Sequence, residues 1–203
     1  MPRAAILAAV RIAIALFEDC EELDWAGPWE VLAAWSRHFP DDGVDVVTVA
    51  ASLEPIRCAK GLRVLPDVSW SQLGPIDVLV YPGGIGTRRD LADEVVLERV
   101  RTLASSGVLM TSVCTGALVY AAAGLLDGRP ATTHWGAVEL LGQLGSEIEV
   151  RADERFVDDG EVITAAGVSA GIDMALHLVA RLHSRERAAQ VRRAIQYDPQ
   201  PPV

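Results

Sequence analysis

Short apolar runs alternate with longer stretches of helical periodicity along most of the chain. Arg11–Phe17 (RIAIALF) reads as a first buried strand, and Val44–Ala50 (VDVVTVA), β-branched and bounded by Gly43, as a second. Asp77–Tyr81 (DVLVY) predicts a strand that ends at Pro82-Gly83-Gly84, and Val108–Val113 predicts another. Gly61–Leu65 suits a short strand or an edge segment. Glu147–Val150, Arg155–Val157 and Val162–Thr164 predict further short strands, the last two forming a hairpin around Asp-Asp-Gly. Helices are expected from Pro28, placed in a first turn, to Phe39; over Leu91–Ala104, with acids early and bases late; and over Thr115–Ala123, closed by Gly124. Trp135–Leu144, Ser169–Leu182 and Arg185–Ile195 complete the helical set, and the Pro-rich end Tyr197–Val203 is not helical. Strands and helices alternating in this way predict an α/β fold: a mostly parallel sheet sandwiched by helices. Ligands of such sheets bind outside the carboxyl ends of the strands. The segment after Phe17, the turn Pro82–Gly84 and the junction Val113-Cys114 are therefore the places to look for chemistry.

Composition narrows the function classes. With 203 residues, half of them hydrophobic, the chain can bury one sizeable core. Residues 11–203 are expected to form a single domain, with residues 1–10 a loose extension. The net charge is −10 and no basic stripe occurs, so nucleic acid is not an expected partner. The start of the chain is apolar, but Arg11 interrupts it and no small-residue cleavage site follows; it reads as a strand, not as a signal peptide. No apolar run reaches the ~18 residues of a spanning helix, so no membrane association is expected. Cys20, Cys58 and Cys114 are the three cysteines, widely spaced and without a C-x-x-C pair. That spacing suggests neither a zinc site nor a redox dithiol, and so few cysteines suit a reducing, cytoplasmic compartment.

Cys114 carries the strongest chemical signal. It stands where the strand TSV passes into the helix TGALVYAAAG, in a Ser-x-Cys-x-Gly sequence that has the strand–turn–helix context of a nucleophile elbow. A thiol at a helix N-terminus is expected to favour the thiolate, with the Thr115 amide as one oxyanion donor. The alternative is an inert buried cysteine, the usual fate of a free thiol; Cys20 and Cys58 lack such a context and read as structural. Gly83 and Gly84 are candidates for the second half of an oxyanion hole, or simply a tight turn. Glu21-Glu22-Leu23-Asp24 would ordinarily be a solvated loop, but Asp24 adjoins Trp25 and precedes Gly27-Pro28, so its carboxyl is a candidate for burial beside the thiol. There its pKa would rise, and it could carry a proton to or from substrate. His134, before Trp135, suits a catalyst or a capping residue equally.

The segments LDWAGPWEVL, YPGG, TSVCTGALVYAAAGLLDGRPATTHW, TAAGVSAGIDMALHLVARL and YDPQPP together resemble the ThiJ/PfpI superfamily, whose fold is flavodoxin-like and akin to class I glutamine amidotransferases. The YDPQPP end resembles the branch that hydrates isonitriles. The resemblance implies that Cys114 is the nucleophile, Asp24 the neighbouring acid and Thr115 tied to activity. It further implies a small-molecule substrate, a homodimer and no metal or organic cofactor. The expected reaction is hydration of an isonitrile to an N-substituted formamide. Thr115 and Gly84 amides would hold developing charge, and Trp25, Trp29 and Trp135 would either line an apolar pocket or belong to the core. Superfamily peptidases place His directly after the Cys, where this chain has Thr115. The amidotransferase His-x-Glu pair has no counterpart in GVSAGIDMALH, and with the chain ending at Val203 a DNA-binding half of the kind found in AraC-type regulators is not expected. Two alternatives stay open: a cofactor-free glyoxalase or deglycase using His134, and a non-enzymatic redox-sensing or ligand-binding module in which Cys114 is oxidised.

Overall fold

A computed structural model describes residues 9–198. Seven strands form its main sheet: β1 (Val10–Ala15), β2 (Val44–Ala50), β3 (Val68–Ser69), β4 (Val78–Tyr81), β5 (Leu109–Val113), β6 (Phe156–Asp158) and β7 (Val162–Ala165). They lie in the order β6-β7-β5-β4-β1-β2-β3, and every pairing is parallel except β6 with β7. The helices are α1 (Glu22–His38), α2 (Glu94–Ser105), α3 (Gly116–Ala122), α4 (Val138–Leu144), α5 (Ala170–Leu182) and α6 (Arg185–Ala194).

The central strands read as unbroken apolar runs because both faces of the sheet are covered. Alternate residues serve the two cores. Ile12, Ile14, Val78, Val80, Val113 and Ile163 pack with Val31, Leu32 and Trp35 of α1, Met174 and Leu178 of α5, and Val191 of α6. Ala13, Ala15, Leu79, Tyr81, Met110 and Val162 pack with Leu97 and Val100 of α2, Leu118 of α3 and Leu141 of α4. This is the mostly parallel, helix-covered sheet that the alternation predicts, and the flavodoxin-like arrangement that the resemblance implies. Among the described residues no helix is long and apolar enough to cross a membrane.

Several expected boundaries move, each for a local reason. α1 starts at Glu22, six residues before Pro28, and runs straight through it. Proline in a helix interior forfeits one backbone bond and clashes with the preceding turn. Here the cost is offset by a close crossing of α5: a methyl on Gly171 would lie 3.1 Å from Pro28 Cγ, and one on Gly27 would lie 3.0 Å from Ile172. The acidic stretch is therefore not a loop; Glu22 and Asp24 occupy the first helical turn. α2 begins at Glu94 because the Asp93 side chain accepts the Val95 N–H at 2.9 Å, and a separate turn covers Thr87–Asp90. The edge segment at Gly61–Leu65 is a minimal hairpin in which Ile56–Arg57 pairs with Arg63–Val64. β3, two residues long, carries no periodic signal and was not expected. Trp135–Ala137 is a 3-10 turn preceding α4. Val10 already pairs with Val44, so the sheet begins inside the expected N-terminal extension, whose first eight residues lie outside the described ones. The Pro-rich end lies outside them from residue 199.

Candidate active site

The carboxyl ends of β4, β5 and β7 converge with the start of α1. Cys114 sits at the sharpest of these ends, with φ +57°, a left-handed conformation that costs a non-glycine residue of order 1–3 kcal/mol. The surroundings hold it there. The Cys114 N–H donates to the carbonyls of Ala165 (3.0 Å) and Ala166 (3.1 Å). Its own carbonyl accepts the Thr133 hydroxyl at 2.7 Å. At Gly116 a methyl would stand 2.3 Å from the Tyr81 carbonyl, so the turn approaches β4 as only glycine permits.

Asp24 is fully buried, 0 % exposed, against the Cys114 side chain. Its Oδ2 accepts the Gly83 N–H at 2.9 Å, while Oδ1 has no hydrogen-bond partner among the described residues. Burial pushes the Asp24 carboxyl up to about 7, against the pull of the Gly83 N–H. Burial, and then the negative charge of Asp24, push the Cys114 thiol up to about 12. The N–H groups of Thr115 and Val168 act on the sulfur in the opposite sense, favouring its anion. Desolvation here opposes the helix N-terminus that was expected to favour a thiolate. Near neutral pH the thiol keeps its proton and faces a carboxyl that is about half ionised. The pair thus places a proton donor beside a proton acceptor, an arrangement that can pass a proton.

The N–H groups of both glycines of the turn already have acceptors within the fold. The Gly83 N–H is taken by Asp24, and the Gly84 N–H donates to Thr115 Oγ1 at 3.0 Å. Thr115 is itself nearly buried, with its hydroxyl 3.2 Å from both the Gly84 carbonyl and Thr87 Oγ1. Its side chain thus braces the turn that holds Asp24, and its amide faces the sulfur. The Val168 N–H favours the anionic form of both the Cys114 sulfur and the Asp24 carboxyl, and its φ of +53° is rare for a β-branched residue. Sequence reasoning passed Val168 over. The signal was present as the small-residue run Ala165–Gly167 directly after a strand, the same context that marks Cys114.

His134 borders the Val168 loop: a methyl on Gly167 would meet the imidazole Cδ2 at 2.3 Å. Its Nδ1 accepts the Gly136 N–H at 3.1 Å, which makes it a cap of the following turn. No hydrogen bond among the described residues joins it to Cys114 or Asp24. The tryptophans do not form one pocket. Trp25 is buried against Cys58; Trp25 and Trp29 line a cavity of about 390 Å³ with Val64 and Leu65; Trp135 stands 81 % exposed. Among the described residues no group of three or more His, Cys, Asp or Glu is placed to hold a metal ion.

Two substitutions probe this brace. A methyl at Gly83 would lie 2.5 Å from the Thr115 nitrogen and 2.8 Å from Asp24 Oδ2. Gly83→Ala is expected to cost about 1–3 kcal/mol of stability, read by urea denaturation, because the nearest obstacle is backbone. Thr115→Val leaves the Gly84 N–H unpartnered at a part-buried site and is expected to cost roughly 1–3 kcal/mol, while Thr115→Ser keeps the acceptor and most of the stability.

Comparison with known proteins follows the same residues. The DJ-1/PfpI family model matches residues 10–181. An isonitrile hydratase of Pseudomonas putida is 39% identical over 194 residues, which is 96% of this chain and 81% of that protein. A glutathione-independent glyoxalase of Caenorhabditis elegans is 29% identical over 185 residues, 89% of this chain and 94% of that one. The crystal structure of a ThiJ/PfpI family protein from Pseudomonas syringae superimposes with a TM-score of 0.86 at 30% identity, covering 100% of this chain and 84% of the other.

Proposed function

The chain belongs to the DJ-1/PfpI family, and we propose that it hydrates an isonitrile to an N-substituted formamide, with Cys114 as nucleophile and Asp24 as proton carrier. The observation that carries this reading is the buried Asp24–Cys114 pair with one carboxyl oxygen unpartnered. Hydrating an isonitrile requires a bond to its terminal carbon, a proton on that same carbon, and then water. One thiol and one carboxyl that exchange a proton supply the first two, and the carboxylate can then activate the water.

The ionised Asp24 takes the thiol proton as sulfur bonds to the terminal carbon, and the Thr115 and Val168 amides steady the charge on sulfur. Asp24 returns that proton to the same carbon, leaving a thioimidate on Cys114. The regenerated carboxylate then draws a proton from water as the water oxygen adds to the carbon. Nitrogen is protonated, the carbon–sulfur bond breaks, and the thiol recovers its hydrogen as the formamide departs. The balance is one isonitrile and one water consumed for one formamide. Identity to an isonitrile hydratase over almost the whole chain supports this substrate class.

A glyoxalase reading would lean on His134, and the capping role of its Nδ1 gives that reading no support. The test is to incubate the protein with an alkyl isonitrile and, in parallel, with methylglyoxal. Formamide from the first is the expected result. Hydroxyacid from the second, with the isonitrile untouched, would replace the proposal.

A further inference from the structure

Cys20 and Cys58 play no part in the chemistry above, and their separation of 38 positions hides their proximity. The fold sets their sulfurs 3.7 Å apart, both fully buried. Cys20 lies at the entrance to α1, bridged to Gly84, with Glu21 N–H on the Gly83 carbonyl at 2.9 Å. Cys58 opens the turn of the small hairpin, its N–H bonded to the Leu62 carbonyl at 2.8 Å. The hairpin turn is already fastened to the same place. Ala59 N–H donates to the Cys20 carbonyl at 2.9 Å, Lys60 N–H donates to Glu22 Oε1 at 2.7 Å, and the Lys60 ammonium pairs with Glu21.

We propose that Cys20 and Cys58 are a redox modification site that forms a reversible intramolecular disulfide, tying the hairpin to the N-terminus of the helix that carries Asp24. Sulfur atoms in a disulfide are about 2.05 Å apart, so the two must close by roughly 1.7 Å, within reach of side-chain rotation in a short exposed hairpin. In the reaction two S–H bonds break and one S–S bond forms. The two electrons and two protons pass to an oxidant, either a peroxide reduced to water or a small-molecule disulfide reduced to two thiols. Access comes from the hairpin side, where Ala59, Lys60 and Gly61 are exposed and only two residue pairs hold the strands. Burial raises both thiols above their ordinary range, so oxidation is slow at neutral pH and speeds up in alkali. The inference is independent of the substrate proposed above.

The experiment uses the Cys114→Ser protein, in which only these two thiols remain. After treatment with hydrogen peroxide or glutathione disulfide, thiol titration in denaturant is expected to fall from two per chain to none. Intact mass should drop by the two hydrogens lost, peptide mapping should join the Cys20 and Cys58 peptides, and dithiothreitol should reverse all three. The thermal midpoint of the oxidised form should rise by about 5–10 °C, because the bond closes a long loop of the unfolded chain. The added Cys58→Ser variant should keep one free thiol and show no such rise. Two thiols that stay titratable in folded protein at pH 9, or a bond that links two chains on a non-reducing gel, would overturn the proposal.

Discussion

Cys114→Ser is expected to abolish formamide production, by a factor on the order of 10³ or more in kcat, while leaving the thermal midpoint within a few degrees of wild type. The elbow is held by backbone and by neighbours, not by sulfur: Ala165 and Ala166 carbonyls take the residue's N–H, and Thr133 donates to its carbonyl. Serine fits those constraints. What changes is the proposed nucleophile, since a hydroxyl is far harder to deprotonate and far less polarisable than a thiol. A burial-only role for Cys114 predicts the reverse pattern, with activity kept and stability altered. Turnover and thermal unfolding measured on the same preparations distinguish the two.

Asp24→Asn carries the second large effect. Loss of the proposed proton carrier is expected to lower kcat by about 10²–10⁴, the usual contribution of a positioned acid–base group. Two further readouts separate this from mere disruption. The Asp24 charge is the second cause, after burial, of the raised Cys114 thiol. Removing that charge should move the thiol down from about 12, seen as faster alkylation at pH 9 by iodoacetamide. Stability should respond as well, and its sign follows from linkage. The Asp24 carboxyl is raised in the folded chain from an ordinary value near 3.8 to about 7, so its protonated form favours folding. That contribution is complete below about pH 3.8 and is lost as pH rises through about 7. Wild type should therefore weaken between pH 4 and 7 relative to Asp24→Asn, and denaturant midpoints across that window measure it. Parallel curves for the two proteins would show that the carboxyl is not desolvated as described.

The parts of the fold that depend on local pattern were readable from the chain. β4 followed by Pro82-Gly83-Gly84, and β5 passing into α3 at Cys114, combine a short apolar run with a turn residue and a helical repeat, so periodicity alone marks them. The α1 boundary was not readable, because Pro28 is a strong helix-start signal and its tolerance inside the helix rests on Gly171 of a distant element. β3 is two residues long and exists only through its pairing with β2. In the site, residue types were legible and directions were not. Which amides lie near the sulfur depends on where neighbouring loops fall, so the sequence pointed to Gly84, whose N–H is bonded to Thr115, and not to Val168. The Thr115 hydroxyl, similarly, points to the turn at Gly84. The contact between Cys20 and Cys58 is set by where the hairpin lies over the entrance to α1, and no spacing rule encodes that.

The measurement that bears most directly on the Asp24–Cys114 mechanism is proton NMR of an alkyl isonitrile incubated with wild-type protein in deuterium oxide. The account predicts steady conversion to the formamide, with deuterium on the formyl carbon because Asp24 delivers an exchangeable proton there, and no conversion by Cys114→Ser. An isonitrile left intact by folded wild-type protein, or formed at the same rate into product by Cys114→Ser, would contradict it.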